Sequence, residues 1–487
     1  MGQTNREKEE QALLTHSKPN QILSANDRTM EEGATQTTPF LVEPVRLTPA
    51  WEDSNLPNEE LNFKGMTMER AQLETTEPRD RWKLVYLTLL LHGVGTLMPW
   101  NMFINAKEYF VSYKLSEEYT GITSMYVTSF LAYIGFAAQV PNILFNWLNV
   151  FVQIGGNLTT RIVWSLVIEI IIFLVTVGLA MTNSADWPGA FFWITMATVV
   201  ILNMANGIYQ NTVYGMAAKL PSKYTGAVIL GSNISGTLTA LIDIFSGYMA
   251  GSLRTSAIYY FITAMFILLL CFDTYFALPL NRFYRYHELK NEKESCSQNR
   301  GPKTRIPYLR IMRDAAPHLF SIFFVFFVTL AVFPTVHSDI KRVDENFPID
   351  DMFVKITCFL TFNTCAMLGS FLTSFFQWPK PKYLIYVVTF RVIFIPLFLL
   401  CNYQPRKIVR TLPVLIANDW VYWIIAIAMG VSSGYLSSLG MMYAPRSVEP
   451  QYAVQAGMLG AAFLITGIFT GITFSIVFPS VVSSSIW

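Results

Sequence analysis

Charge is scarce in this sequence. Asp, Glu, Lys and Arg make up 14% of its 487 residues, against about 25% in ordinary soluble domains, and the formal net charge is only +2. So small a surplus gives no argument for nucleic acid or an acidic partner, and no nucleic acid is expected. Cysteine is scarce too. Of the five cysteines, Cys271, Cys358, Cys365 and Cys401 stand in apolar runs and Cys296 in a charged stretch, so no disulfide framework is expected. No Cys/His cluster has metal-ligand spacing, and the GxGxxG, P-loop and GxSxG signatures are missing. Neither a metal nor a cofactor is expected, and no nucleophile–base constellation argues for an enzyme. The first stretch of about 80 residues holds no apolar core of a cleavable signal peptide, so the first apolar run is expected to act as the membrane signal.

Long hydrophobic runs are what the chain has instead. Hydrophobic residues reach 52%, aromatics 15%, and the mean hydropathy is +0.37. From Trp82 onward about eleven apolar runs follow one another. Each is about twenty residues, enough for a helix rising 1.5 Å per residue to cross a hydrocarbon core of about 30 Å. The expected fold is therefore all-α and polytopic, with its partner the lipid bilayer. The spans fall near 83–105, 122–146, 160–181, 190–217, 226–250, 257–279, 316–337, 352–376, 383–402, 417–442 and 454–478.

The long connection 281–315 divides them six plus five and carries Arg282, Arg285, Lys290, Lys293, Arg300, Lys303, Arg305, Arg310 and Arg313. The excess of positive charge places it on the cytoplasmic side. An even number of spans before it puts residues 1–81 inside as well, and the odd total leaves 479–487 outside. Residues 82–280 are then a six-helix bundle and 316–478 a five-helix bundle, the plan of a two-bundle transporter that rocks about a midplane site. Residues 1–81 are polar and read as a disordered tail. In it Glu9, Leu13 and Leu14 match the acidic dileucine pattern for a sorting adaptor, which points to an endolysosomal membrane. Of two sequons, Asn157 falls on the cytoplasmic side and Asn233 inside a span, so neither is expected to be glycosylated.

With lipid as the solvent, polar side chains inside spans mark function. The first span carries Pro99 beside Trp100 and Asn101, where a proline kink frees backbone groups that need a cavity or partners. The second adds Gln139, Pro141 and Asn142. In the fourth, Asn203, Asn206 and Gln210 share one helical face, as interhelical links or solute contacts, with Asn211 beside them. Glu169 in the third span and Asp243 in the fifth are the costly acids and are candidates for coupling or a polar pathway, with Arg391 as a possible ion partner. In the eighth span Phe359, Asn363, Ala366 and Ser370 lie on one stripe, polar at only two points.

The stretches GTLMPWNMFINAKEYF (Gly95–Phe110), Gln210 followed by YGMAAKLPSKYTGAV (Tyr214–Val228), LPLNRFYRYHEL (Leu278–Leu289), FLTFN (Phe359–Asn363), LLCNYQPR (Leu399–Arg406) and SSGYLSSLGMMYAP (Ser432–Pro445) together resemble the equilibrative nucleoside transporter family, collinearly over 82–478. The resemblance implies eleven helices in a 6+5 arrangement similar to the major facilitator fold. It also implies facilitated diffusion of nucleosides, in some members nucleobases or organic cations, with the plasma membrane as the usual residence. Carried over by position, Leu97, Trp100, Asn101, Gln139, Gln210, Phe333, Phe359 and Asn363 would line the pocket. Aromatic and apolar faces suit a planar base, and amides suit its ring nitrogens and carbonyls. One departure stands out. Where the family shows FNxxDxxGR, this chain has Ala366 and Ser370, so the usual recognition of the sugar is expected to change. The expected function is facilitative nucleoside transport by alternating access. The alternatives are a nucleobase or organic-cation carrier, with or without proton linkage, and a transport-inactive sensor or scaffold.

Overall fold

The structure is a computed structural model that describes residues 78–106, 109–121, 125–152, 156–298, 306–345, 347–349, 353–405 and 409–483. Glu9, Leu13 and Leu14 lie outside the described residues, and so does the side chain of Asp243. Every expected span is met by a helix. In order these are α1 (Leu84–Asn105), α2 (Met125–Val152), α3 (Leu158–Met181), α4 (Pro188–Ala217), α5 (Ser222–Met249), α6 (Leu253–Ala277), α7 (Tyr308–Val332), α8 (Lys355–Leu360 continuing as Thr361–Leu372), α9 (Pro381–Leu400), α10 (Asp419–Tyr443) and α11 (Ala453–Ser475). Among the described residues eight helices are long and apolar enough to cross a membrane by themselves. The other three are α2 and α5, 28 residues each and interrupted by polar side chains, and the shorter α8. Twenty-eight residues span about 42 Å, so α2 and α5 reach across a bilayer and their polarity has to be hidden in the protein.

The connection 281–315 is more ordered than a loop. Arg282–Gln298 is a helix, and α7 begins at Tyr308, eight residues before the apolar run, because its first two turns are charged. Helix ends follow local chemistry. The Asn418 side chain accepts from the amides of Trp420 and Val421 at the start of α10, Ser252 caps α6 by accepting from Thr255 N, and prolines open α4 and α9. Asp80 serves α1 from outside: its carboxylate accepts from Val85 N, Tyr86 N and the Tyr224 hydroxyl of α5.

Helix packing shows an internal repeat. Within the first six helices α1 lies along α5 and α2 along α4; in the last five, α7 lies along α11 and α8 along α10. Across the divide α2 meets α11 as α8 meets α5, and α4 meets α11 as α10 meets α5. Each pair becomes its counterpart on moving six helices along, so the packing of α1–α5 repeats in α7–α11. The tightest crossings depend on glycine. A β-carbon at Gly93 would stand 2.1 Å from Val228 O and one at Gly231 2.0 Å from Leu90 O, so α1 and α5 touch backbone to backbone.

The two halves are sealed at one end. The Asn211 amide of α4 donates to Met458 O of α11 at 2.7 Å, Gly457 packs on Tyr214 O, and Gly226 at the start of α5 packs on Met442 near the end of α10. Trp147 of α2 donates to Thr466 of α11 at 2.9 Å. All but the last lie at the end of the molecule where α4 and α10 finish and α5 and α11 begin.

Candidate solute site

The candidate residues divide into three groups. The first is a band across α1, α5 and α8. Leu97, Trp100 and Asn101 are half-buried, and the Asn101 amide donates to Ser235 Oγ at 3.2 Å. On the other side of α5, Asn363 places its Oδ1 over Gly236, where a β-carbon would stand at 2.6 Å, while its amide returns to Phe359 O at 3.0 Å. Lower on α8, Ser370 is buried; it accepts from the Asn233 amide at 2.6 Å and donates to Gly434 O at 3.1 Å. Helix α5 is thus the hub of the band through Asn233, Ser235 and Gly236. The sequence reading took Asn233 only as a sequon. The signal was there, since Gly231–Thr237 reads GSNISGT in the middle of a span.

The second group is aromatic. Phe333, just past the end of α7, stacks on Phe362 with centroids 4.0 Å apart and meets Phe359 edge-on at 5.8 Å. Phe359 lies in the Lys355–Leu360 stretch of α8, which is wound as a π-helix; Thr361 Oγ1 reaches back five residues to Ile356 O at 2.8 Å. The wider turn carries Phe359 toward Phe333, and such turns are common at functional positions. Phe362 was missed because the resemblance marked only its neighbours in FLTFN.

The third group is amides on the α2–α4 seam. Gln139 and Gln210 are buried, and the Oε1 of each lacks a hydrogen-bond partner. Asn206 is fully buried with both side-chain atoms unpaired, as is Asn142 Oδ1. Such groups cost about 1–3 kcal/mol each unless something polar meets them, so this face is built to receive hydrogen bonds. The remaining amides of the ladder are links. Asn211 donates to Asn146 Oδ1 and Met458 O, Asn149 donates to Asn211 Oδ1 and Thr212, and Asn203 returns to Val199 O.

Two charged candidates lie apart from these groups. Glu169 faces the interior of the first half, within electrostatic reach of Tyr209 and Cys271. Arg391 does not pair with it. Its guanidinium is buried in the second half on neutral oxygens: Ser432 Oγ at 3.1 Å, Val325 O at 2.9 Å, Thr329 Oγ1 at 2.9 Å and Met429 O at 3.3 Å. A planar fork of five donors meets several carbonyls at once, which removed the need for an acid.

The arrangement offers a stacking face, amides and hydroxyls. A nucleoside transporter family model matches residues 196–480. Equilibrative nucleoside transporter 1 of Homo sapiens is 31% identical over 457 residues, spanning 83% of this chain and 99% of the relative. Equilibrative nucleoside transporter 2 of Homo sapiens is also 31% identical, over 83% and 98%, and equilibrative nucleoside transporter 3 of Rattus norvegicus is 29% identical over 81% and 88%. Among solved structures, the major facilitator superfamily proton:xylose symporter XylE superposes with a TM-score of 0.58 at 12% identity, covering 81% of this chain and 88% of that one, which is a likeness of fold. The chain is a multi-pass membrane transporter, not an enzyme, and belongs to the equilibrative nucleoside transporter family.

Proposed function

We propose that this protein carries nucleosides down their gradient by alternating access between α1–α6 and α7–α11. Two observations carry the reading in a family of nucleoside transporters: buried amide atoms of Gln139, Asn206 and Gln210 that lack hydrogen-bond partners, and the aromatic cluster of Phe333, Phe359 and Phe362. Stacked aromatics take the planar base, and amides complete its polar edge. Leu97, Trp100, Asn101 and Asn363 complete the lining. The basic Arg282–Gln298 helix lies on the cytoplasmic side by charge bias, so the sealed end is the inner one and the site faces outward. Residence is the plasma membrane unless Glu9, Leu13 and Leu14 engage a sorting adaptor.

Uptake of radiolabelled uridine and adenosine by transporter-deficient cells is the test. Saturable uptake is expected, and Gln210→Ala lowers it about tenfold, the worth of one buried hydrogen bond in discrimination. Absence of saturable uptake of either nucleoside overturns the reading. A nucleobase carrier is the second reading, and one observation favours it. The Ser370 hydroxyl is already engaged by Asn233 and Gly434 O, so the position where relatives of the family pattern hold a charge offers no free group to a sugar.

A further inference from the structure

Glu169 is fully buried at the middle of α3, and neither carboxylate oxygen has a hydrogen-bond partner. No cation faces it. Helix α3 packs on α4 and α6. From α4 comes Tyr209; from α6 come Cys271 and, a turn further on, Tyr275. Asp273 on α6 is exposed on the far face, and Arg254, near the other end of that helix, donates to Ala180 O. On α3 itself, Arg161 lies two turns away and donates to Gly156 O. Helix α1 adds His92, fully buried, whose Nδ1 meets the Tyr209 hydroxyl at 2.7 Å and whose Nε2 is unpaired. Gly95 lets Tyr209 and Cys271 meet beside α1, since a β-carbon there would be 3.0 Å from both the Tyr209 hydroxyl and Cys271 Sγ.

This cluster has an outlet. The Tyr275 ring stands edge-on to His92 with centroids 6.0 Å apart, and its hydroxyl donates to Thr159 Oγ1 at 2.9 Å. Thr159 in turn lines a polar cavity of about 390 Å³ at the sealed end, walled by Asn157, Arg161 and Lys219 from the first half, Glu288 from the connecting helix Arg282–Gln298 and Gln455 from α11. Polar side chains therefore step from that cavity to the carboxyl in the order Thr159, Tyr275, His92, Tyr209, Glu169.

We propose that Glu169 is a proton-binding site, filled and emptied from the cytoplasmic cavity along this file. The proposal rests on the inner placement of the sealed end given above. A neutral carboxylic acid is the form that these apolar surroundings accept, because an ionised carboxylate without donor or cation costs several kcal/mol in such a place. The proton moves from a water in the cavity by hydroxyl and imidazole relay. A water or a rotamer change bridges each of the two gaps, at His92 Nε2 and at the carboxyl. Loss of the proton opposes the packing of α1, α3, α4 and α6 seen here, so alkaline cytoplasm drives the first half away from this inward-sealed arrangement. Internal pH thereby becomes a regulator of a carrier that moves an uncharged solute.

Two measurements on the full-length protein test this, one independent of any solute. Infrared difference spectra of the reconstituted protein at low and high pH should show the carbonyl band of a protonated carboxyl, absent in Glu169→Gln. Tyr275→Phe should keep the band and slow its disappearance after a jump in internal pH. In vesicles with internal and external pH set separately, nucleoside uptake should fall about threefold as internal pH rises from about 6 to about 8. External pH should have no such effect, and Glu169→Gln should hold the acid-side rate throughout. Identical internal-pH profiles for wild type and Glu169→Gln, or a band that survives Glu169→Gln, overturn the proposal. Absence of saturable nucleoside uptake sinks the reading of function and leaves the infrared result standing. If Glu169→Gln does not fold, Glu169→Asp should shift the band, and an unshifted band counts against the assignment.

Discussion

Matching places in the two halves hold an acid and a base, and only the base has hydrogen-bond partners. Arg391 stands mid-way along α9 and Glu169 mid-way along α3, helices that correspond under the six-helix repeat. Arg391 donates to α7 and α10; Glu169 lies among groups from α4, α6 and, through Tyr209, α1. The difference follows from what a helical bundle supplies. Helix carbonyls keep a spare lone pair and hydroxyls are common, so a buried donor finds acceptors. Backbone N–H groups are all spent inside helices, so a buried acceptor finds none. A buried arginine is therefore a clamp, whereas an acid buried mid-helix is left without donors, unlike Asp419 at a helix start, which accepts from Val343 N and Asp344 N.

The largest effect comes from breaking the clamp. Arg391→Met removes four hydrogen bonds that join α9 to α7 and α10 and leaves Thr329 and Ser432 to rearrange. The cost should be about 2–4 kcal/mol. In a detergent melting assay Arg391→Met should unfold several degrees below wild type, with Arg391→Lys little better because an ammonium lacks the planar fork. Glu169→Gln should melt at or above wild type at alkaline pH. Its sign is opposite because the neutral form is the one that the packing accepts: stability is full at low pH and declines as pH rises, and glutamine abolishes that decline. An Arg391→Met protein as stable as wild type would make the two sites equivalent and remove the contrast.

A smaller contrast lies between the corresponding crossings α8–α10 and α2–α4. A β-carbon on Gly434 would be 1.9 Å from Ala366 O, a backbone atom that cannot turn aside, whereas one on Gly207 would be 2.8 Å from Asn142 O. Overpacking costs about 1–3 kcal/mol. Gly434→Ala should sit at the upper end of that range and Gly207→Ala at the lower, read as folded yield after solubilisation. The reverse order would show that α2 and α4 are the more rigid pair.

Much of this architecture was legible because the membrane imposes length and hydrophobicity on each span separately. All eleven apolar runs became helices at nearly the expected bounds, and the connection 281–315 misled only because its charge concealed the helix Arg282–Gln298. Partnerships were harder to see. Arg391 is one possible ion partner for Glu169 or Asp243 on sequence grounds, because hydrophobic surroundings raise the value of any opposite charge, but which helices face each other is not written in span composition. The amides of α4 divide in the same way: Asn211 is a link to α11 and the Gln210 oxygen has no partner, although the two residues are adjacent in the chain. A turn of about 100° per residue is enough to send neighbours to different partners.

The smallest effect concerns the neutral seam between α5 and α8. There the chain holds Ala366 and Ser370, both buried, and Asn233 reaches across to the Ser370 hydroxyl. The α2–α4 seam presents amides with unpaired oxygens, whereas this one has closed on itself. Ala366→Asp with Ser370→Arg would replace that closure by a charge pair able to meet a sugar hydroxyl, and introducing both charges together avoids stranding either one. The gain in preference for nucleoside over free base should be about fivefold, the worth of one hydrogen bond of about 1 kcal/mol. Asn233→Ala serves as the control, since it loses the same closure without adding charge and should leave the preference where it was. If the double variant folds and competition between uridine and uracil is unchanged, solute discrimination belongs to the α2–α4 amides alone, and the two seams differ in purpose rather than in degree.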